Sequence, residues 1–182
     1  MKLEVLHNQM FYHIYNRGIN GCDIFTSDEN KRYFLQKLKD HTQEVLDVYA
    51  YCLMNNHFHL IVQIVNEDVV IQKLSNVFNA YAKAFNKQEK RTGSLFKKHF
   101  RRKELINESY LRNLILYVHL NPKKHFNLDY TQYKYTSYFT MVSNKATLLK
   151  RNEVIEIFES VENFVNSHSL YKDKLEEGFT FE

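Results

Sequence analysis

The chain has 182 residues, 25 of them basic and 21 acidic, with two cysteines and one proline. That length suits one domain with a proper core and a small appendage, and two cysteines are too few for a disulfide framework. No apolar run approaches the ~18 residues that a membrane span needs. The start, Met1-Lys2-Leu3-Glu4, has no apolar signal segment, so the expectation is a protein of the reducing cytoplasm. The net charge of +4 is unevenly spread: residues 83–103 carry nine basic side chains against Glu89 alone, while eight acids and two lysines lie from Glu153 onward. A basic stripe opposite an acidic tail reads as a polyanion-binding face, because neutralising phosphates supplies most non-specific nucleic-acid affinity. A solvated helix face is the blander reading of the same run.

In chain order, residues 10–16 (MFYHIYN) read as a strand that ends in a loop at Arg17-Gly18. Thr26-Ser27-Asp28-Glu29 has capping-box spacing, and Tyr33, Phe34, Leu38 and His41 follow at helical intervals, which predicts a helix over 28–41. Residues 47–54 (DVYAYCLM) read as a strand, Asn55-Asn56 as a turn and 57–65 (HFHLIVQIV) as the next strand. Val70, Leu74, Val77, Phe78, Tyr81 and Phe85 mark a helix over 69–87. The loop at Gly93 leads into an extended basic segment, and Ser109 would cap a helix over 110–121 that Pro122 ends. This order predicts an α+β fold, an antiparallel sheet with helices packed on it. In the tail Val154, Ile157, Phe158, Val161, Phe164 and Val165 form another amphipathic stretch, expected to dock on the domain.

His57 and His59 lie two apart on a predicted strand. Side chains alternate there with period two, so both imidazoles project from one face and Phe58 from the other. Two imidazoles on rigid sheet backbone can hold one divalent ion. Cys52 raises a zinc alternative, although Cys-x4-His-x-His with no fourth ligand matches no common zinc spacing. On the helix over 110–121, Leu111, Leu114, Ile115 and Val118 make the apolar stripe, and Asn113, Tyr117 and Asn121 line up beside it at i, i+4 and i+8. Tyr110 is a rival to Tyr117, but its i+4 residue is Leu114, which binds no metal. His119 points roughly 200° around the helix from Tyr117 and reads as structural or DNA-facing.

Tyr51-Cys52-Leu53-Met54-Asn55-Asn56-His57-Phe58-His59-Leu60-Ile61-Val62 closely resembles the histidine-hydrophobe-histidine signature of single-tyrosine transposases, the REP-associated tyrosine transposase branch above all. Phe11-Tyr12-His13-Ile14-Tyr15-Asn16-Arg17-Gly18 with Ile24-Phe25, Gly93-Ser94-Leu95-Phe96, Tyr117-Val118-His119-Leu120-Asn121-Pro122 and Tyr133-Lys134-Tyr135-Thr136-Ser137-Tyr138 are similar to further segments of that family, in order over residues 10–140. The resemblance implies a ferredoxin-like α+β nuclease domain over 1–145, leaving 146–182 as an acidic helical extension packed on it. It implies Tyr117 as nucleophile and Asn121 as third ligand beside His57 and His59, a donor set suited to Mg2+ or Mn2+. Attack of Tyr117 on a scissile phosphate would give a 5′-phosphotyrosine link and a free 3′-OH. The implied partner is single-stranded DNA with a hairpin, of the kind formed by repetitive palindromic elements, bound by a monomer or a homodimer. Arg17, Lys97, Lys98, Arg101, Arg102, Lys103, Lys123 and Lys124 are the expected DNA contacts; Tyr81, Phe85, Phe96 and Phe100 read first as core residues and second as candidates for stacking on unpaired bases. Where the family has a small apolar residue and a turn after its Asn-Pro, this chain has Lys123-Lys124-His125-Phe126. The alternatives are a catalytically silent hairpin-binding protein and a zinc-dependent hydrolase using His57, His59 and Cys52.

Overall fold

In the computed structural model, strands β1 (Phe11–Arg17), β2 (Leu46–Leu53), β3 (His57–Ile64) and β4 (Arg101–Glu104) form one antiparallel sheet in the order β2-β3-β1-β4. With helix α1 (Asp28–Thr42) between β1 and β2 and α2 (Glu67–Gln88) between β3 and β4, this is the ferredoxin-like arrangement. The structure describes residues 3–176, with side chains through residue 172. Met1 and Lys2 of the expected signal-free start and residues 177–182 of the expected extension lie outside the described residues. Among those described, no helix is long and apolar enough to cross a membrane.

The period-two pattern of the central strands sorts the core into two layers. Tyr12, Ile14, Phe58, Leu60 and Val62 face α1 and α2, where they meet Phe34, Leu38, Val70, Leu74, Val77, Phe78, Tyr81 and Phe85. Phe58 lies against the rings of Phe34, Phe78 and Phe96, and its truncation to Ala would cost about 3–5 kcal/mol. Tyr81 and Phe85 are buried in this layer, and the Tyr81 hydroxyl donates to the Ile24 carbonyl, so they are core residues and cannot stack on bases. The second face is covered by α3 (Glu108–Phe126), through Leu111, Leu114, Ile115 and Val118, with Ala50, Cys52 and Ile61 of the sheet.

Several boundaries differ from expectation. The N-cap of α1 is Ser27, not Thr26: Ser27 Oγ accepts from the Asn30 N–H at 3.3 Å, and Asn30 Oδ1 accepts in return from Ser27 N at 3.2 Å and from Thr26 N at 3.0 Å. The cap of α3 is Asn107 rather than Ser109, its Oδ1 accepting from Tyr110 N at 2.8 Å. Pro122 does not end α3. It removes one backbone donor, yet it is fully buried, and the helix closes one turn later at Asn127, left-handed at φ 53° and accepting from Lys123 Nζ at 2.6 Å. The basic run is partly a strand, β4, whose charges suit a sheet edge. The opposite edge, β2, is covered by the segment around Thr136: Leu53 N donates to Tyr135 O at 2.9 Å and Ser137 N to Tyr51 O at 3.0 Å.

Beyond α3 run three further helices, α4 (Tyr138–Val142), α5 (Arg151–Ile157) and α6 (Val161–Glu176). From the amphipathic tail, Val154, Phe158 and Phe164 join the α3 cluster, Ile157 is partly buried against it, and Val161 and Val165 stay exposed. A buried relay ties these layers together. Ser137 Oγ accepts from Tyr51 N at 2.9 Å and lies 2.7 Å from His119 Nε2; His119 Nδ1 lies 2.9 Å from His168 Nε2, and His168 Nδ1 lies 2.7 Å from the Phe164 carbonyl. Since a carbonyl only accepts, the proton order is set: His168 Nδ1–H donates to Phe164, His119 Nδ1–H to His168, and the Ser137 hydroxyl to His119. Both imidazoles are neutral. Burial pushes His119 well below its usual value and His168 down to about 3.

A group whose folded pKa lies below its unfolded one gives stability that is complete above the unfolded value and is lost as the pH falls below it. Starting from an unfolded histidine pKa of about 6.5, each of these two imidazoles should therefore cost about 2 kcal/mol of stability between pH 7 and pH 5. Urea unfolding at a series of pH values measures this. His168→Phe is expected to reduce the slope by one such share while lowering stability at pH 7, and a flat profile over that window would mean that the relay is charged.

Candidate active site

The turn that carries His57 is clamped from four sides. Asn55 O accepts from Ile24 N and Phe25 N at 2.7 and 2.9 Å, Asn56 O from Gly18 N at 2.8 Å, and His57 O from Met54 N at 2.9 Å. Gly18 is required there, since a Cβ would lie 2.0 Å from the Cys22 carbonyl oxygen. Lys31 of α1 reaches under the turn, its Nζ 3.3 Å from Asn55 Oδ1 and 3.2 Å from the Tyr133 hydroxyl, and burial lowers its pKa.

From this turn β3 sends His57 and His59 to the α3 face, their rings 5.1 Å apart. Asn56 Oδ1 lies 2.6 Å from His57 Nδ1; an amide oxygen only accepts, so Nδ1 carries the proton and Nε2 the lone pair. His59 Nδ1 lies 2.8 Å from His13 Nε2, while its own Nε2 is buried without a hydrogen-bond partner. Burial first, then the neighbouring His13, His57 and His125 and Lys124, hold His59 well below the usual histidine pKa, so it is neutral. In the tautomer that a metal at Nε2 requires, Nδ1 would carry the proton and donate it to His13.

On α3 the line Tyr117, Asn121, His125 faces this pair. The Tyr117 ring stands edge-on to His59 with centroids 6.0 Å apart, and His125 stands edge-on to His57 at 5.2 Å. Asn121 lies between the two on the same helical line; its Nδ2 donates to Tyr117 O at 2.9 Å and its Oδ1 is buried without a partner. Two of the three expected metal donors thus each carry a buried polar atom without a hydrogen-bond partner, at a cost of about 1–3 kcal/mol each. Donor type and placement fit a divalent cation held by His57, His59 and Asn121. Among the described residues no three His, Cys, Asp or Glu side chains group as a metal site, so a site at this pair would have to draw on an amide such as that of Asn121. Cys52 is packed in the α3 layer with its thiol pushed far up by burial, which disfavours it as a thiolate ligand.

A cavity of about 670 Å3 opens over the histidines, walled by His13, Tyr15, Arg17, Lys103, Tyr110 and Tyr117 among others. Tyr117 is only 2 % exposed, and Lys124 Nζ sits over its ring, 4.9 Å from the centroid. Asn121, Lys123, Lys124 and Arg101 do not line the cavity. The basic stripe is divided by the strand period. Arg101 and Lys103 are exposed on the histidine face, whereas Arg102 points the other way, donating to the Glu4 carbonyl with its guanidinium over Phe100. Lys97, Lys98 and Arg102 line a separate groove of about 650 Å3 between α2 and the segment before β4, with half-buried Phe96 and nearly buried Phe100. Sequence reading missed His13, Tyr15, Asn56 and His125 as neighbours of the site. His125 was in principle legible, because it continues the i+4 line from Tyr117 and Asn121 once the helix is allowed past Pro122.

No family model matches the sequence, and no curated protein matches it. Solved structures do. One described as a REP-associated tyrosine transposase bound to a REP hairpin superposes with a TM-score of 0.64 over 79 % of this chain and 86 % of the other, at 12 % sequence identity. At that identity the likeness establishes the fold: this chain has a mixed α/β architecture, with a four-stranded antiparallel sheet and packed helices, similar to that of the tyrosine transposase.

Proposed function

We propose that this protein is a metal-dependent single-strand DNA endonuclease and strand transferase of the tyrosine-transposase type, acting at hairpin-flanked sites. The observation that carries the reading is the pair of buried, unpartnered polar atoms, His59 Nε2 beside the Tyr117 ring and Asn121 Oδ1 one helical turn further along α3. Further support comes from the hairpin bound to the structural neighbour and from the cations Arg17, Arg101 and Lys103 beside the cavity. A bound divalent ion would supply positive charge to a scissile phosphate. His13 and Asn56 hold the two imidazoles in the tautomers that leave their lone pairs for such an ion. Tyr117 attacks the phosphorus, the bridging 3′ oxygen departs as the free 3′-OH, and the 5′-phosphotyrosine keeps the ester energy for rejoining. A silent hairpin-binding protein is favoured by one observation, the near-complete burial of Tyr117.

Incubation with a single-stranded hairpin oligonucleotide and Mn2+ tests this: a denaturation-resistant protein–DNA adduct is expected. Tyr117→Phe should abolish the adduct and leave hairpin binding nearly intact, and Tyr110→Phe should keep cleavage. Binding without any adduct in the unmodified chain would leave the silent reading standing.

Metal binding is read independently of activity. Because the unpaired donors destabilise the metal-free fold, Mn2+ should raise the Tm, and His59→Ala or Asn121→Ala should remove that rise in differential scanning calorimetry. Zinc that co-purifies tightly, with unfolding on its removal, would favour the zinc alternative instead.

The divided stripe makes a third expectation. Arg101→Ala should flatten the log-affinity against log-salt slope on single strands by about 0.7 without moving the Tm. Arg102→Ala should lower stability by on the order of 1 kcal/mol, through its lost carbonyl and ring partners, and leave the slope nearly unchanged. Fluorescence anisotropy over a salt series, with thermal melts, separates the two; equal slope changes would place DNA on both faces of β4.

A further inference from the structure

The sheet register places a charged aromatic platform next to the histidines. Tyr15 pairs with His59 on β3 and with Arg101 on β4, while the flanking positions of β1 pair Arg17 with His57 and His13 with Lys103. All of these side chains share one face, because cross-strand partners project together. The α3 helix covers the β2 side of that face and reaches β4 through Tyr110, whose ring lies 5.2 Å from Lys103 Nζ; beside it Tyr15 is partly buried and Arg17, Arg101 and Lys103 are exposed.

Tyr15 belongs to neither apolar cluster of the protein. Its ring is stacked on His13 at 4.6 Å and nearly parallel to His59 at 5.8 Å, so it is held in one orientation by the same side chains that form the site. An oriented aromatic ring with no apolar cover and three cations around it suits an unpaired base, whose π-face stacks while its phosphates meet the cations. Adjacent strands are about 4.8 Å apart, so His59 and Arg101 stand about 10 Å from each other, with the Tyr15 ring midway.

We propose that Tyr15 is the stacking platform for the unpaired base adjacent to the scissile phosphate, with Arg101 and Lys103 receiving the next phosphate. The bound single strand then crosses the sheet from β3 over β1 to β4, instead of following a strand direction. The position of the scissile phosphate rests on the nuclease reading above; the aromatic and charged row does not.

The test uses Tyr117→Phe protein in EDTA, so neither cleavage nor metal enters. The probe is a hairpin oligonucleotide with a single-stranded flank on each side, 2-aminopurine being placed at one flank position at a time. One flank position is expected to show fluorescence quenching on binding. That quench should disappear in Tyr15→Leu, together with a loss of affinity on the order of tenfold, and persist in Tyr15→Phe, which keeps the ring and guards against a folding artefact. Quenching that survives in Tyr15→Leu, or an oligonucleotide that binds with no flank position quenched, overturns the platform while leaving hairpin binding in place. No binding of the oligonucleotide at all would instead remove the proposed function and this inference with it.

Discussion

His119 is fully enclosed between the sheet, α3 and α6, and a buried imidazole with two polar nitrogens must find a partner for each. It finds Ser137, which is itself bonded to β2, and His168 on α6. With 3.6 residues per turn, any residue two positions away on a helix points nearly to the opposite side. Holding His119 toward Ser137 and α6 therefore turns Tyr117 and Asn121 toward β3. The rotation of α3 is set by hydrogen bonds remote from the cavity, and Tyr117 and Asn121 inherit their direction from it.

The other half of the site is set by β3. Because this strand is central, its two faces are both enclosed, and a one-residue slip would drive Phe58 out of its aromatic layer and the imidazoles into it. The same alternation that makes the sheet stable thus fixes which face carries the histidines. Where the helix and the strand meet, the fold tolerates His59 Nε2 and Asn121 Oδ1 without hydrogen-bond partners, a local cost of the kind that functional sites carry.

Charge is deployed around this centre by register. In a linear reading Arg101, Arg102 and Lys103 form one block, yet on a strand they separate into a pair that looks toward the histidines and a single arginine that braces the N-terminal segment against Phe100. The additional turn of α3 after Pro122 has a comparable effect, because it brings Lys124 over Tyr117 and His125 against His57. Both arrangements bring positive charge to the histidine face of the sheet and leave Arg102 to packing on the reverse face of β4.

The strand-helix-strand-strand-helix order, the common face of His57 and His59 and the alignment of Tyr117 with Asn121 were all legible in the sequence. Each depends only on a local period, two residues in a strand or 3.6 in a helix, and a period survives without knowledge of what it packs against. The split between Arg101 and Arg102 and the company of His13, Tyr15 and His125 were decided by tertiary structure. Those depend on which strands are neighbours and in what register, and the residues concerned lie as far as 98 positions from their partners, as Arg102 does from Glu4. Pro122 shows the same limit from the other side: the missing donor is a local fact, but its price is set by the packing around the buried ring, which let the helix run on to Phe126.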